Sequence, residues 1–166
     1  MNKMLMSLTC CFFFLFVGLS NAENTVKVID GDTIHIGSKK YRFSGIDTPE
    51  MKQTCKKDNQ IVMCGVIAKN ALVKKINKQQ VNCKEEEIDR YKRIVAECFV
   101  NNESLSKYLV RNGHAVAYRK YSMKFVEDED YAKKNKLGLW SMNFDYPWDY
   151  RAKLRSKEIS ARSGQK

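Results

Sequence analysis

The chain has 166 residues and carries 30 Lys and Arg against 19 Asp and Glu, a formal net charge of +11 at pH 7. This length gives one domain with a substantial core. The cationic excess favours polyanions, whether nucleic acid, acidic glycan or anionic lipid, and charge alone does not choose among them.

Residues 1–22 read as a secretory signal peptide. Lys3 supplies the positive start, residues 10–18 form an apolar run, and Ser20-Asn21-Ala22 fits small-x-small cleavage after Ala22. An uncleaved anchor is the rival, but the run is short for a membrane span. Cleavage removes one Lys and no acid, leaving 29 basic and 19 acidic residues and a charge of +10. The expected location is secreted, periplasmic or at the cell surface, with no stable membrane partner after cleavage.

Residues 25–29 alternate as a first strand. Asp30-Gly31-Asp32 marks a turn or bulge, and Thr33-Ile34-His35-Ile36 resumes the extended pattern. A turn at Gly37-Ser38-Lys39-Lys40 leads to a strand at 41–46. Thr48-Pro49 ends it, because proline lacks a ladder donor and restricts the residue before it. This hairpin is expected to gather Asp30, Asp32, Asp47 and Glu50. At ~4 Å and an effective dielectric of ~20, each like-charged pair costs roughly 4 kcal/mol before relaxation. Such a cluster is tolerated mainly when a cation neutralises it. Hard oxygen ligands point to Ca²⁺ or Mg²⁺ rather than Zn²⁺. Arg42 adds a fork suited to a phosphate oxygen. As a surface strand arginine, its loss is expected to affect rate more than stability. Asp30 is expected to cap its own turn.

Residues 51–64 are polar and read as a loop beside these acids. Residues 65–78 have helical spacing, with Ile67, Ala68, Ala71, Leu72 and Ile76 on one face. Residues 80–83 and 94–100 read as strands joined by a charged connection at 84–93. Ser104 or Ser106 caps a helix that stops at Gly113. Residues 115–118 form a short extended piece. Residues 125–136 form a third helix, acidic early and basic late, as the helix dipole favours. Trp140 is expected in the core. The pattern predicts an α+β fold: an OB-type five-stranded antiparallel β-barrel with about three flanking α-helices.

Cys55, Cys64, Cys83 and Cys98 survive signal removal. An even number in an exported chain reads as disulfides. Of three connectivities, Cys55–Cys64 with Cys83–Cys98 is favoured. The first closes a loop after the acidic segment, and the second staples neighbouring strands. A four-cysteine zinc site and free core thiols are the alternatives; no cysteine pair has the two-residue spacing of a zinc knuckle.

Six motifs occur in order. They are Val28-Ile29-Asp30-Gly31-Asp32-Thr33, Arg42-x4-Asp47-Thr48-Pro49-Glu50, Asp89-Arg90-Tyr91-Lys92-Arg93, Leu109-Val110-Arg111-Asn112-Gly113, Ala117-Tyr118 and Gly138-Leu139-Trp140-Ser141. On these the chain closely resembles the staphylococcal nuclease (thermonuclease) family over about residues 25–142. Each motif alone is weak, and six at compatible spacings are specific. The resemblance implies a secreted, Ca²⁺-dependent, sugar-nonspecific nuclease that hydrolyses phosphodiester bonds of DNA and RNA and leaves 3′-phosphates. It implies one Ca²⁺, or another divalent cation, on Asp32, Asp47 and the main-chain carbonyl of Thr48. Glu50 falls at the general base, Arg42 and Arg93 at the phosphate-gripping arginines, and Tyr118 at a terminal-phosphate contact. Tyr91, beside Arg93, and Lys120, beside Tyr118 and Tyr121, are further substrate-binding candidates.

Lys92 stands where the family has Gly before the second arginine. If that position needs a positive φ, Lys strains it by roughly 1–2 kcal/mol, so Arg93's aim rests on the turn. The expected organisation is signal peptide at 1–22, OB-type nuclease domain at 23–145 and a basic tail at 146–166, helical or loose. A monomer is expected. The rival readings are a non-catalytic OB-type nucleic-acid-binding protein and a cationic protein acting on membrane or glycan.

Overall fold

The computed structural model describes residues 25–163; the signal expected at 1–22 lies outside them. The chain enters through β1 (Val26–Val28), β2 (Thr33–Ile36), β3 (Lys39–Phe43) and the two-residue β4 (Ile46–Asp47). A hairpin of β5 (Thr54–Lys57) and β6 (Gln60–Met63) leads into α1 (Cys64–Ile76). Then come β7 (Asn82–Ile88), β8 (Ile94–Val100), β9 (Glu103–Ser104) and α2 (Leu105–Arg111). The described chain ends with β10 (Val116–Ala117), α3 (Val126–Lys134), a 3₁₀ turn at Gly138–Ser141 and α4 (Pro147–Ser163).

The main sheet runs β1-β2-β3-β8-β7, and β9 pairs with β8. The expected α+β class and OB-type fold hold, with one pairing of different sense. β3 and β8 are parallel, Tyr41 opposite Ile94. The intervening hairpin and α1 supply the long crossover that a parallel pair needs. β2 and β3 meet across Gly37-Ser38, with Ile36 opposite Lys39. β10 pairs with β4, Val116 opposite Asp47.

Ile34, Phe43, Ile46, Leu72, Leu105, Leu109 and Val110 form the centre of the core. On α1 the buried residues are Cys64, Gly65, Ala68, Leu72 and Ile76. Ile67, expected on that face, is exposed. Ser104, not Ser106, caps α2 by accepting the Lys107 N–H. Ser106 is buried, and its hydroxyl donates to the Ser44 carbonyl. Leu139 is the core residue of the 3₁₀ turn; Trp140 is half-buried in a smaller cluster with Cys55, Cys64 and Val116.

Two segments depart from expectation. Residues 54–63 form the β5–β6 hairpin instead of a loop. Asp58 and Asn59 both have positive φ, the turn geometry that matches the twist of paired strands. The polar composition hid this pairing, because its side chains are mostly exposed. β7 likewise runs through the charged Lys84 to Ile88. Two of its acids reach past β8: Glu85 meets Lys39 and the Tyr41 hydroxyl of β3, and Glu86 meets the Ser44 hydroxyl just after it. The two disulfides are Cys55–Cys64 and Cys83–Cys98, as favoured. The second joins directly opposed residues of β7 and β8. Among the described residues no helix is long and apolar enough to cross a membrane.

Candidate active site

The ends of β2 and β4 meet through side chains. Asp32 precedes β2, and Thr48 follows β4. The Thr48 N–H and hydroxyl both donate to Asp32 Oδ2, at 3.0 and 2.8 Å. A Cβ on Gly31 would sit 2.8 Å from the Thr48 hydroxyl, so this approach requires glycine. Asp30 Oδ1 accepts the Asp32 N–H at 3.0 Å, the turn cap expected of it. Asp32, Asp47 and Thr48 are all buried.

Arg42 reaches across this junction. Its Nη1 lies 3.1 Å from Asp32 Oδ2, and its Nη2 lies 3.2 Å from Asp47 Oδ1. Two carboxylates separated by fifteen positions therefore converge on one guanidinium. The same Nη2 donates to the Ile46 carbonyl. The Arg42 side chain is only 14% exposed, which corrects the expectation of a surface strand arginine. Its neighbours are buried acids that need its charge.

Glu50 is set by its backbone. Its N–H donates to the Gln53 side chain, its carbonyl accepts the Gln53 N–H, and Gln53 is fully buried. A Cβ on Gly65 would lie 2.0 Å from the Glu50 carbonyl, so α1 can pass there only as glycine. The Glu50 carboxylate is part-exposed and points at Arg151 of α4, with Nη1 2.8 Å from Oε1. Arg151 also takes both oxygens of Asp47, Nη2–Oδ2 at 2.7 Å and Nη1–Oδ1 at 3.1 Å.

The four expected acids thus do not form a bare cluster. Asp30 turns to a main-chain N–H, and two guanidiniums hold the other three carboxylates. Burial, with the Asp32 charge, pushes the Asp30 carboxyl up to about 6. Burial also pushes the Asp47 carboxyl up, while hydrogen bonds from Arg151 oppose the rise. Burial pulls the Arg151 guanidinium down, and its bonds to Asp47 and Glu50 more than offset that. Arg151 was not legible in the sequence. Its only signal was membership of a basic tail, and no spacing brings position 151 to position 47.

On the other side, Asp89 organises the β7–β8 turn. Its Oδ1 accepts the N–H groups of Tyr91 and Arg93, and its Oδ2 takes Arg93 Nε at 2.8 Å. Lys92 has φ +60°, the strained conformation feared from its replacement of Gly. Arg93 is nonetheless aimed by Asp89, with Nη1 3.5 Å from the Thr33 hydroxyl, itself 3.3 Å from Asp32 Oδ1. Tyr91 is exposed, and the Arg93 guanidinium carbon is 5.5 Å from its ring centre.

Tyr118 follows β10, and its N–H donates to the Gly45 carbonyl. Its ring stacks on Trp148 of α4 at 5.4 Å and meets Tyr121 edge-on at 4.8 Å. Trp148 also stacks on Tyr146 at 4.8 Å. Lys120 sits over the Tyr121 ring at 5.8 Å and is exposed. It joins the aromatic group rather than the carboxylates.

The donor chemistry suits a hard divalent cation. Asp32 and Asp47 bring carboxylate oxygens to one buried place, and Asp32 Oδ1 accepts from the Thr33 hydroxyl. Among the described residues no three His, Cys, Asp or Glu side chains gather as a metal site. An ion held here would draw on two carboxylates. Zinc, which favours Cys and His, does not fit, and the four cysteines among the described residues are in disulfides.

Residues 40–142 match the family model described as "Staphylococcal nuclease homologue". The chain is 32% identical to a thermonuclease of Staphylococcus hyicus, over 77% of this chain and 83% of that protein. It is 29% identical to a micrococcal nuclease of Shigella flexneri, over 76% of this chain and 78% of that protein. It is 31% identical to a probable staphylococcal-like nuclease of Oryza sativa subsp. japonica, over 84% of this chain. The match spans little more than a third of that longer plant protein, and of a second one from the same organism.

Proposed function

The chain belongs to the staphylococcal nuclease family, and from that premise we propose that it is an exported, Ca²⁺-dependent, sugar-nonspecific nuclease. Its substrates are DNA and RNA, its products carry 3′-phosphates, and it works as a monomer with the active unit at 23–145. The observation that carries the reading is the meeting of Asp32 and Asp47 on the Arg42 guanidinium.

Asp32, Asp47 and the Thr48 carbonyl would hold the ion. When bound, Ca²⁺ offsets negative charge on a non-bridging phosphate oxygen. The chain's own residues do the rest. Arg42 and Arg93 approach from β3 and from the β7–β8 turn, on either side of Asp32. Their forks donate to phosphate oxygens that gain charge as the phosphorus becomes five-coordinate. Glu50 accepts a proton from the attacking water and orients it; as a weak base its larger share is orientation. Tyr91 offers an exposed ring face and hydroxyl beside Arg93, Tyr118 is the terminal-phosphate contact although its ring is stacked on Trp148, and Lys120 adds charge beside Tyr121. The two disulfides suit an oxidising compartment.

The test is product analysis. Purified protein with Ca²⁺ should fragment single-stranded DNA and RNA alike, and the fragments should lose phosphate from their 3′ ends on phosphatase treatment. Fragments with 5′-phosphates would overturn the assigned bond, and nucleic acid that is bound but intact would favour the non-catalytic reading.

A further inference from the structure

We infer that α4 is a latch on the candidate metal site: Arg151 and the divalent cation compete for Asp47, so cation binding and α4 docking oppose each other. This rests on the metal reading above.

The competition follows from the contacts. Asp47 is buried, and both its oxygens are engaged. Oδ2 takes Arg151 Nη2, while Oδ1 takes Arg151 Nη1 and Arg42 Nη2. Glu50 Oε1 takes Arg151 Nη1 as well. A cation that uses Asp47 would be a third positive group on a carboxylate whose two oxygens are already taken by two guanidiniums, so one guanidinium has to give way. Arg42 is fixed by main-chain bonds to the Phe43 and Ile46 carbonyls. Among the described residues Arg151 has no such tie, so it is the one to leave.

The helix that carries Arg151 is built to be released. Of its residues only Pro147 is buried. Among the described residues its remaining holds are Trp148, which stacks on Tyr118 and Tyr146 at the edge of the cluster of Cys55, Cys64, Val116 and Leu139, the Tyr150 hydroxyl on the Lys52 carbonyl, and Lys153 on Asp145. These are exposed or stacked contacts of modest strength. The helix also lies beyond the 40–142 segment that matches the family model. Undocking would free the guanidinium of Arg151 and bare the Tyr118 ring, the residue assigned to the substrate phosphate. Substrate and cation would then both favour the open helix.

The experiment is Ca²⁺ titration by calorimetry of wild type, Arg151→Ala and Asp47→Ala, with hydrogen exchange of residues 147–163 in wild type with and without Ca²⁺. Arg151→Ala should bind Ca²⁺ roughly 10-fold more tightly, and Ca²⁺ should speed exchange in α4 of wild type. Equal or weaker Ca²⁺ binding by Arg151→Ala, with binding by wild type lost in Asp47→Ala, would overturn the latch and leave the metal reading standing. Slower exchange of α4 with Ca²⁺ would overturn it too. No Ca²⁺ binding by either wild type or Arg151→Ala would overturn the metal reading and the latch together.

Discussion

Thr48 donates twice to one oxygen of Asp32, through its main-chain N–H at 3.0 Å and its hydroxyl at 2.8 Å. This pair locks the end of β4 to the start of β2 and sets where the Asp32 carboxylate points. Thr48→Val keeps the shape and the N–H but removes the hydroxyl. It should lower stability by about 1–2 kcal/mol and slow cleavage, since Asp32 gains freedom. Urea unfolding checks the first and single-stranded DNA cleavage the second. Unchanged stability would show that the hydroxyl bond holds nothing.

Arg42→Ala should lose stability and rate together. The side chain bridges two buried carboxylates, and removing it leaves them facing each other. Loss of a buried charge partner costs about 3–5 kcal/mol. Arg42→Lys keeps the charge and loses the fork, so it should recover much of the stability and little of the rate. A rate defect without any fall in melting temperature would restore the view of Arg42 as a surface residue.

Glu129 gives the fold a pH dependence. It is fully buried on α3, where it accepts the Ala117 N–H and meets Arg119 and Lys133. Burial pushes its carboxyl up, and these hydrogen bonds outweigh burial, so it titrates below the ordinary value of 4.5. A carboxyl lowered by folding stabilises the protein above that value, and the contribution is lost as pH falls through it into the more acid range. Glu129→Gln should therefore cost about 2–3 kcal/mol at pH 7 and progressively less below about pH 4. Unfolding midpoints of both proteins at the two pH values check this; a constant gap would contradict it.

Lys92→Gly should raise stability by about 0.5–1 kcal/mol. It relieves a φ of +60°, and the added freedom of glycine in the unfolded chain offsets part of the gain. Because Asp89 aims Arg93 in either case, cleavage should change little. A fall in thermal midpoint would show that Lys92 makes a compensating contact.

What could be read before the fold was seen follows the range of the interactions. The β2–β3 hairpin, the turn cap at Asp30 and the cross-strand cysteines are local, or lie on a strand pattern, and so leave marks in the sequence. The convergence of Asp32 and Asp47 was legible because the β2–β3 hairpin brings the chain back beside Asp32 and β4 follows β3 after two residues. The β5–β6 hairpin escaped notice because exposed Lys and Gln mask its alternation, although Asp58-Asn59 was a turn signal. Arg151 had no signal beyond its place in a basic tail. Its partner lies 104 positions away, and a basic helix offers many equivalent cations until packing selects one.

The central claim is that Asp32 and Asp47 together make a cation-dependent phosphodiester site. Its most direct measurement is the initial rate of single-stranded DNA cleavage by wild type and Asp47→Asn, each in Ca²⁺ and in EDTA, with folding checked by circular dichroism. Wild type should cut only with Ca²⁺, and folded Asp47→Asn should be slower by a factor of about 100 or more. Folded Asp47→Asn cutting as fast as wild type, or wild type leaving DNA intact with every divalent cation, would contradict it.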